Sequence, residues 1–190
     1  MSILLDRILV VDIEATCWRG HPPLGQEREI IEIGLCPLDL KLRQPLAKES
    51  ILVQPTRSQV SAFCTELTTL TQAQVDEGLS FRQACGFLRG QHQSQKRMWA
   101  SYGEYDRHKF VKQCKAFNVK YPFSDRHLNV KSLVAIVLGL NHEVGMAKAL
   151  ELLKIPLEGT HHRGDDDAFN VAKILARLLW QTPEIGIGSS

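Results

Sequence analysis

The sequence predicts an α/β fold, with a mixed five-stranded central sheet flanked by helices. Three observations carry that expectation. Strand-like stretches alternate with segments of helical periodicity. Two short strands joined by one turn-sized loop suggest an antiparallel meander, so the sheet should be mixed. The chain's 190 residues, 44% of them hydrophobic, suffice for one core.

The elements follow in order. Residues 7–14 read as the first strand, followed by a Gly- and Pro-rich loop, "RGHPPLGQE". "REIIEIGLCPLDL" alternates apolar and polar residues as a second strand. "ESILVQP" forms a third, which Pro55 ends because proline cannot donate to a ladder. Helical periodicity appears at 72–77 and 80–90, where Phe81, Cys85, Phe87 and Leu88 share a stripe. "RMWASY" reads as a fourth strand and "EYDRHKFVKQCKAF" as the helix after it. "HLNVK" gives a short fifth strand, and "SLVAIVLGL", "GMAKALELLKI" and "DDAFNVAKILARLLW" complete the helices. The organisation expected is one domain over residues 1–182, with 183–190 a flexible tail inside the Gly- and Ser-rich "TPEIGIGSS".

Composition narrows the function classes. No run approaches the roughly 18 apolar residues of a membrane span, so no membrane partner is expected. "MSILLDRILVVD" carries Asp6 and Arg7 inside its apolar stretch and reads as a strand rather than a signal peptide. Five scattered cysteines without a C-x-x-C pair suggest neither a zinc knuckle nor a disulfide framework. Reduced thiols and the lack of an address point to cytoplasmic residence. A net charge of +2 permits an anionic partner without demanding one.

The chemistry gathers at the end of the first strand, in "ILVVDIEATCW". Side chains two apart on a strand share a face, so Asp12 and Glu14 point the same way. Two carboxylates that close repel, and partial burial adds to the cost. A hard divalent cation, Mg2+ or Mn2+, removes the penalty. A D-x-E on a solvent-facing strand end is the bland alternative. "HHRGDDDAFN" supplies a second cluster, where Asp165, Asp166 and Asp167 suit a helix N-terminus. Asp167 lies four residues before Val171 and seven before Ile174, on the inward side of that helix, where an acid needs a partner. His162 sits five residues earlier in the entering loop, suited to taking a proton from water, with His161 beside it as an exposed loop histidine. Asp106, in "SYGEYDRHKF", reads alone as a surface acid.

Together these blocks resemble the DEDDh 3′–5′ exonucleases, in the branch of RNA-trimming enzymes. "DIEATCW", "REIIEIG", "FCTELTTLTQAQVDEG", "YGEYD" and "GTHHRGDDDAFNVAKI" carry the likeness, which runs from about residue 6 to 180. The resemblance implies an RNase H-like exonuclease fold and two Mg2+ ions, with Mn2+ an alternative. It implies that Asp12, Glu14 and Asp167 hold one ion, that Asp12 is shared with the second, and that Asp106 serves that second ion. His162 matches the general base of an H-x4-D motif; His161 would leave a six-residue offset. Thr69 in "LTTLT" departs from the glycine often found in relatives.

The resemblance further suggests that the backbone around Ala15 and Thr16 meets the 3′ terminus, and that the Thr16 side chain or its amide holds the terminal ribose. Trp18 could stack on a base or anchor its loop, and Phe63 has the same choice, with core burial favoured. Arg19, His21, Arg28, Lys109 and Arg163 are available to phosphates. The expected activity is metal-dependent 3′–5′ hydrolysis of single-stranded RNA or short 3′ overhangs, releasing nucleoside 5′-monophosphates. DNA as the main substrate and a non-catalytic RNA-binding module remain as competing readings. A dinucleotide site is weaker, since no G-x-G-x-x-G follows the first strand.

Overall fold

A computed structural model describes residues 3–181 of the chain, so the expected tail at 183–190 lies outside the described residues. All five anticipated strands are present: β1 (Arg7–Ala15), β2 (Ile30–Asp39), β4 (Glu49–Gln54), β6 (Met98–Ser101) and β7 (His127–Asn129). Two more bring the sheet to seven, correcting the expected count of five: β3 (Gln44–Pro45) and β5 (Leu79–Ser80). Each is two residues long, too short to show a period of two.

The strand order is β5-β4-β2-β1-β6-β7, with β3 paired to β2. β1, β2 and β4 form the antiparallel meander, whereas β6 and β7 join β1 in parallel, so the sheet is mixed. Parallel pairing needs a crossover, which the intervening helices supply.

The helices are α1 (Ala62–Thr68), α2 (Gln72–Asp76), α3 (Phe81–Gln91), α4 (Tyr105–Phe117), α5 (Val130–Val137), α6 (Met146–Leu152) and α7 (Gly164–Trp180). Periodicity did not reveal α1, whose seven residues span barely two turns. Ser61 caps it, its hydroxyl accepting from the amide of Cys64 at 3.0 Å. None of the described helices is long and apolar enough to cross a membrane.

Alternation along β1 divides the core into two layers. Ile8 and Val10 pack with Val171, Ile174 and Leu175 of α7 on one face. Leu9, Val11 and Ile13 pack with Phe81, Leu88 and Phe110 of α3 and α4 on the other. The even face of β1 runs on into Asp12 and Glu14, so both acids emerge on the α7 side.

Candidate active site

Three carboxylates meet at the end of β1. Ligand oxygens of Asp12, Glu14 and Asp167 all lie within 4.8 Å of one another. β1 contributes two through the same-face rule, and α7 contributes the third from its first turn.

The placement of α7 depends on a residue that sequence reasoning passed over. Glu32 of β2 lies opposite Glu14 in the antiparallel register and is fully buried. Its carboxylate accepts from the Gly164 amide at 2.8 Å, from Arg163 Nη2 at 2.9 Å and from the Ser50 hydroxyl at 2.5 Å. The start of α7 is thereby fastened to the sheet. Gly34, two residues along, makes the contact closer still. A Cβ there would fall 1.8 Å from the Gly164 carbonyl carbon, so only glycine lets the helix backbone rest on the strand. The signal in the sequence was an acid inside the apolar "IIEIG".

Asp106 reaches the site from the opposite layer. It heads α4 and is 4% exposed, and its Oδ1 accepts from the backbone amide of Ile13 at 3.1 Å. Ile13 lies between Asp12 and Glu14, so Asp106 is bound to the strand segment that carries them. It stands outside the three-carboxylate set.

The acids perturb one another. Burial holds the Asp12 carboxyl well above its ordinary range, and Asp106, Glu14 and Asp167 push it further. Glu14 is raised to about 9, chiefly by burial and then by Asp167 and Glu32. Asp106 is raised to about 7 by burial. An acid whose folded pKa exceeds its unfolded value stabilises the fold at low pH and loses that contribution as pH rises through the folded value. In chelator, the melting temperature should therefore fall between pH 5 and 9, by about 5 °C or more. Millimolar Mg2+ or Mn2+ should restore it. Thermal unfolding followed by circular dichroism checks this; a flat chelated profile would mean that the chain itself compensates the repulsion.

The histidine loop closes the site. The His161 ring nitrogen Nδ1 lies 2.9 Å from Asp167 Oδ2, and the His162 backbone amide donates to the same oxygen at 3.0 Å. The His162 ring stacks on that of His161, with centroids 4.0 Å apart. Burial, with His161 beside it, lowers the His162 pKa below the ordinary value.

The remaining expected contacts divide. Thr16 is fully buried; its amide donates to Glu29 O at 2.8 Å and its hydroxyl accepts from the Glu29 amide at 2.9 Å. Both groups suggested for the ribose are thus committed to holding the strand end, and Ala15 is buried with them. Trp18 is half-buried and lies outside the three core clusters. Phe63 is half-buried rather than in the core, with the Arg19 guanidinium 5.5 Å from its ring centroid. Lys109 is turned inward, donating to the Arg28 carbonyl, and Arg163 is occupied by Glu32, so neither stands free for phosphate. Arg19 pairs with Glu66 at 3.2 Å, while His21 and Arg28 are exposed. Thr69 sits at φ 64°, the left-handed region that glycine tolerates best, with its hydroxyl 3.5 Å from Arg163 Nη1.

The RNase_T profile, described as exonuclease, matches residues 9–175. The chain belongs to this exonuclease family. Among relatives, human 3′-5′ exoribonuclease 1 is 32% identical over 195 residues, covering 96% of this chain and 55% of the relative. Human ERI1 exoribonuclease 3 is 29% identical over 191 residues, covering 91% of the chain and 53% of the relative. The exonuclease chain thus spans about half the length of the curated relatives it matches. Its fold is similar to that of the nuclease domain of 3'hExo, a DEDDh family member, with a TM-score of 0.80, 28% identity and 94% of each chain covered. The RNase H-like fold expected of the family is the fold observed.

Proposed function

We propose that this chain is a divalent-metal-dependent 3′–5′ exonuclease that trims single-stranded RNA or short 3′ overhangs and releases nucleoside 5′-monophosphates. The observation that carries the reading is the Asp12–Glu14–Asp167 triplet: half-buried to buried, mutually repelling carboxylates that hard cations fit. Preference for RNA is supported by the exoribonuclease relatives and by the 3'hExo nuclease domain, which was captured bound to rAMP.

Asp12, Glu14 and Asp167 would hold one Mg2+ or Mn2+ ion, with Asp12 shared toward a second ion that Asp106 serves. Such a pair, when bound, supplies an activated hydroxide and charge relief at the departing 3′ oxygen. The chain's own contribution is positional and protolytic. Glu32 and Gly34 fix the first turn of α7, and with it Asp167. Asp106 holds Ile13 and thereby the spacing of Asp12 and Glu14. His162 takes the proton of the attacking water. A general base works only while neutral, and the lowered pKa keeps His162 neutral to below pH 6.5, so its acid limb lies below that point. Trp18 and Phe63, both half-buried, are offered to the bases of the last nucleotides.

The test uses 5′-labelled single-stranded RNA and matched DNA with Mg2+, Mn2+ or chelator. A ladder shortening from the 3′ end, absent in chelator and stronger on RNA, is the expected result. His162→Asn should slow it by about 10²–10⁴-fold, the usual worth of a positioned base. Intact RNA with both metals would overturn the reading, and faster loss of DNA would reassign the substrate.

A further inference from the structure

Beside the carboxylate triplet stands a second group of donors that the exonuclease reading does not use as a set. Ligand atoms of His161, His162 and Asp167 lie within 4.8 Å of one another. We propose that these three side chains form a second cation site that shares Asp167 with the first, selective for a borderline transition ion such as Zn2+, and that its occupancy blocks the catalytic centre by taking Asp167.

The backbone explains how two neighbouring histidines serve one site. Successive side chains in an extended segment point to opposite sides. His162 instead adopts φ 67°, a left-handed conformation costly for a residue with a Cβ. That turn brings both rings to one side, where they stack with centroids 4.0 Å apart and planes 19° apart. Asp167 is held in place beneath them. It accepts from the His162 amide at 3.0 Å, stands 2.9 Å from His161 Nδ1, and rides on the helix turn that Glu32 fastens.

Donor chemistry separates the two sites. The triplet offers oxygen alone, which suits Mg2+ and Mn2+. The histidine group offers two imidazoles and one carboxylate, a set that zinc favours over magnesium. Tetrahedral coordination at about 2.0–2.1 Å from nitrogen leaves a fourth position for water. The His161 side chain is 43% exposed, which gives an ion a path in. Asp167 belongs to both groups, so it cannot serve both ions in full. Blockage, though not binding, rests on the exonuclease reading.

The experiment titrates Zn2+ into the full chain by calorimetry, at a fixed Mg2+ concentration with which it competes for Asp167, and repeats it with His161→Gln. His161 stands outside the residues assigned to hydrolysis, and its exposure makes the substitution safe for the fold, which a melting curve verifies. The expected result is one zinc per chain, bound at least tenfold more weakly by the variant. The zinc concentration that halves Mg2+-supported RNA cleavage should rise by the same factor. Equal zinc affinity in the two proteins would overturn the site. Zinc held by the wild type without slowing cleavage would overturn the blockage. If no form cleaves RNA, the exonuclease reading fails while calorimetry still decides whether the site exists.

Discussion

Asp12→Asn should abolish metal-supported cleavage while making the metal-free protein more stable. Asp12 is the carboxylate most crowded by others, raised by burial and by Asp106, Glu14 and Asp167 in turn. It is also the one proposed to be shared between two ions. Losing it removes several kcal/mol of charge stabilisation from the transition state. At about 1.4 kcal/mol per tenfold, that is a fall of roughly 10³-fold or more. The same substitution deletes a charge from a cluster whose members repel, so unfolding in chelator should shift to higher temperature. Parallel measurement of RNA cleavage and thermal unfolding checks both. A variant that is inactive and less stable would have lost its fold rather than its metal, and one that retains cleavage would remove Asp12 from the mechanism. Opposite signs are the mark of a site that sacrifices stability for function.

Glu32→Ala should lower stability and activity together. Glu32 is fully buried and accepts from Arg163, Gly164 and Ser50. Truncation strands the Arg163 charge and leaves the Gly164 amide without its acceptor. Arg163 is partly exposed and can be hydrated, so the loss is set mainly by the unpaired buried groups, about 1–3 kcal/mol, or roughly 2–12 °C in a domain of this size. Activity should fall by about 10²-fold, since a misplacement near 1 Å is enough, and the start of α7 that positions Asp167 is freed. The double variant Glu32→Ala with Arg163→Met should recover part of the stability, because the stranded cation is gone, without recovering the rate. Denaturant unfolding and RNA cleavage on all three variants decide it. Additive stability losses would show that the two side chains are uncoupled.

Much of this is legible in the amino-acid sequence itself. The alternation of "ILVVDIEA" gave β1 its two faces, and the spacing of Asp167 from Val171 and Ile174 turned it inward toward Asp12. Local periodicity carries that information because it acts within one element. The missing parts depend on contacts between elements. β3 and β5 are created by partners, not by pattern. Glu32 looks like any polar residue of an alternating strand until α7 is laid over it. Lys109 looks like a surface cation until its ammonium is found on the Arg28 carbonyl. Thr16 was the converse case, since its hydroxyl, offered to a ligand by analogy, is consumed by its own neighbour Glu29.

β1 is the wall between two separately packed layers, and the site spans its end. Asp167 arrives with the α7 layer and Asp106 with the α3–α4 layer, while Asp12 and Glu14 belong to the wall itself. Neither half-assembled chain holds the full set of acids. The proposed cleavage therefore requires both layers to be docked on the strand at once. Opening either layer, even with the sheet and the other layer intact, would dismantle the set of acids on which the proposed activity depends.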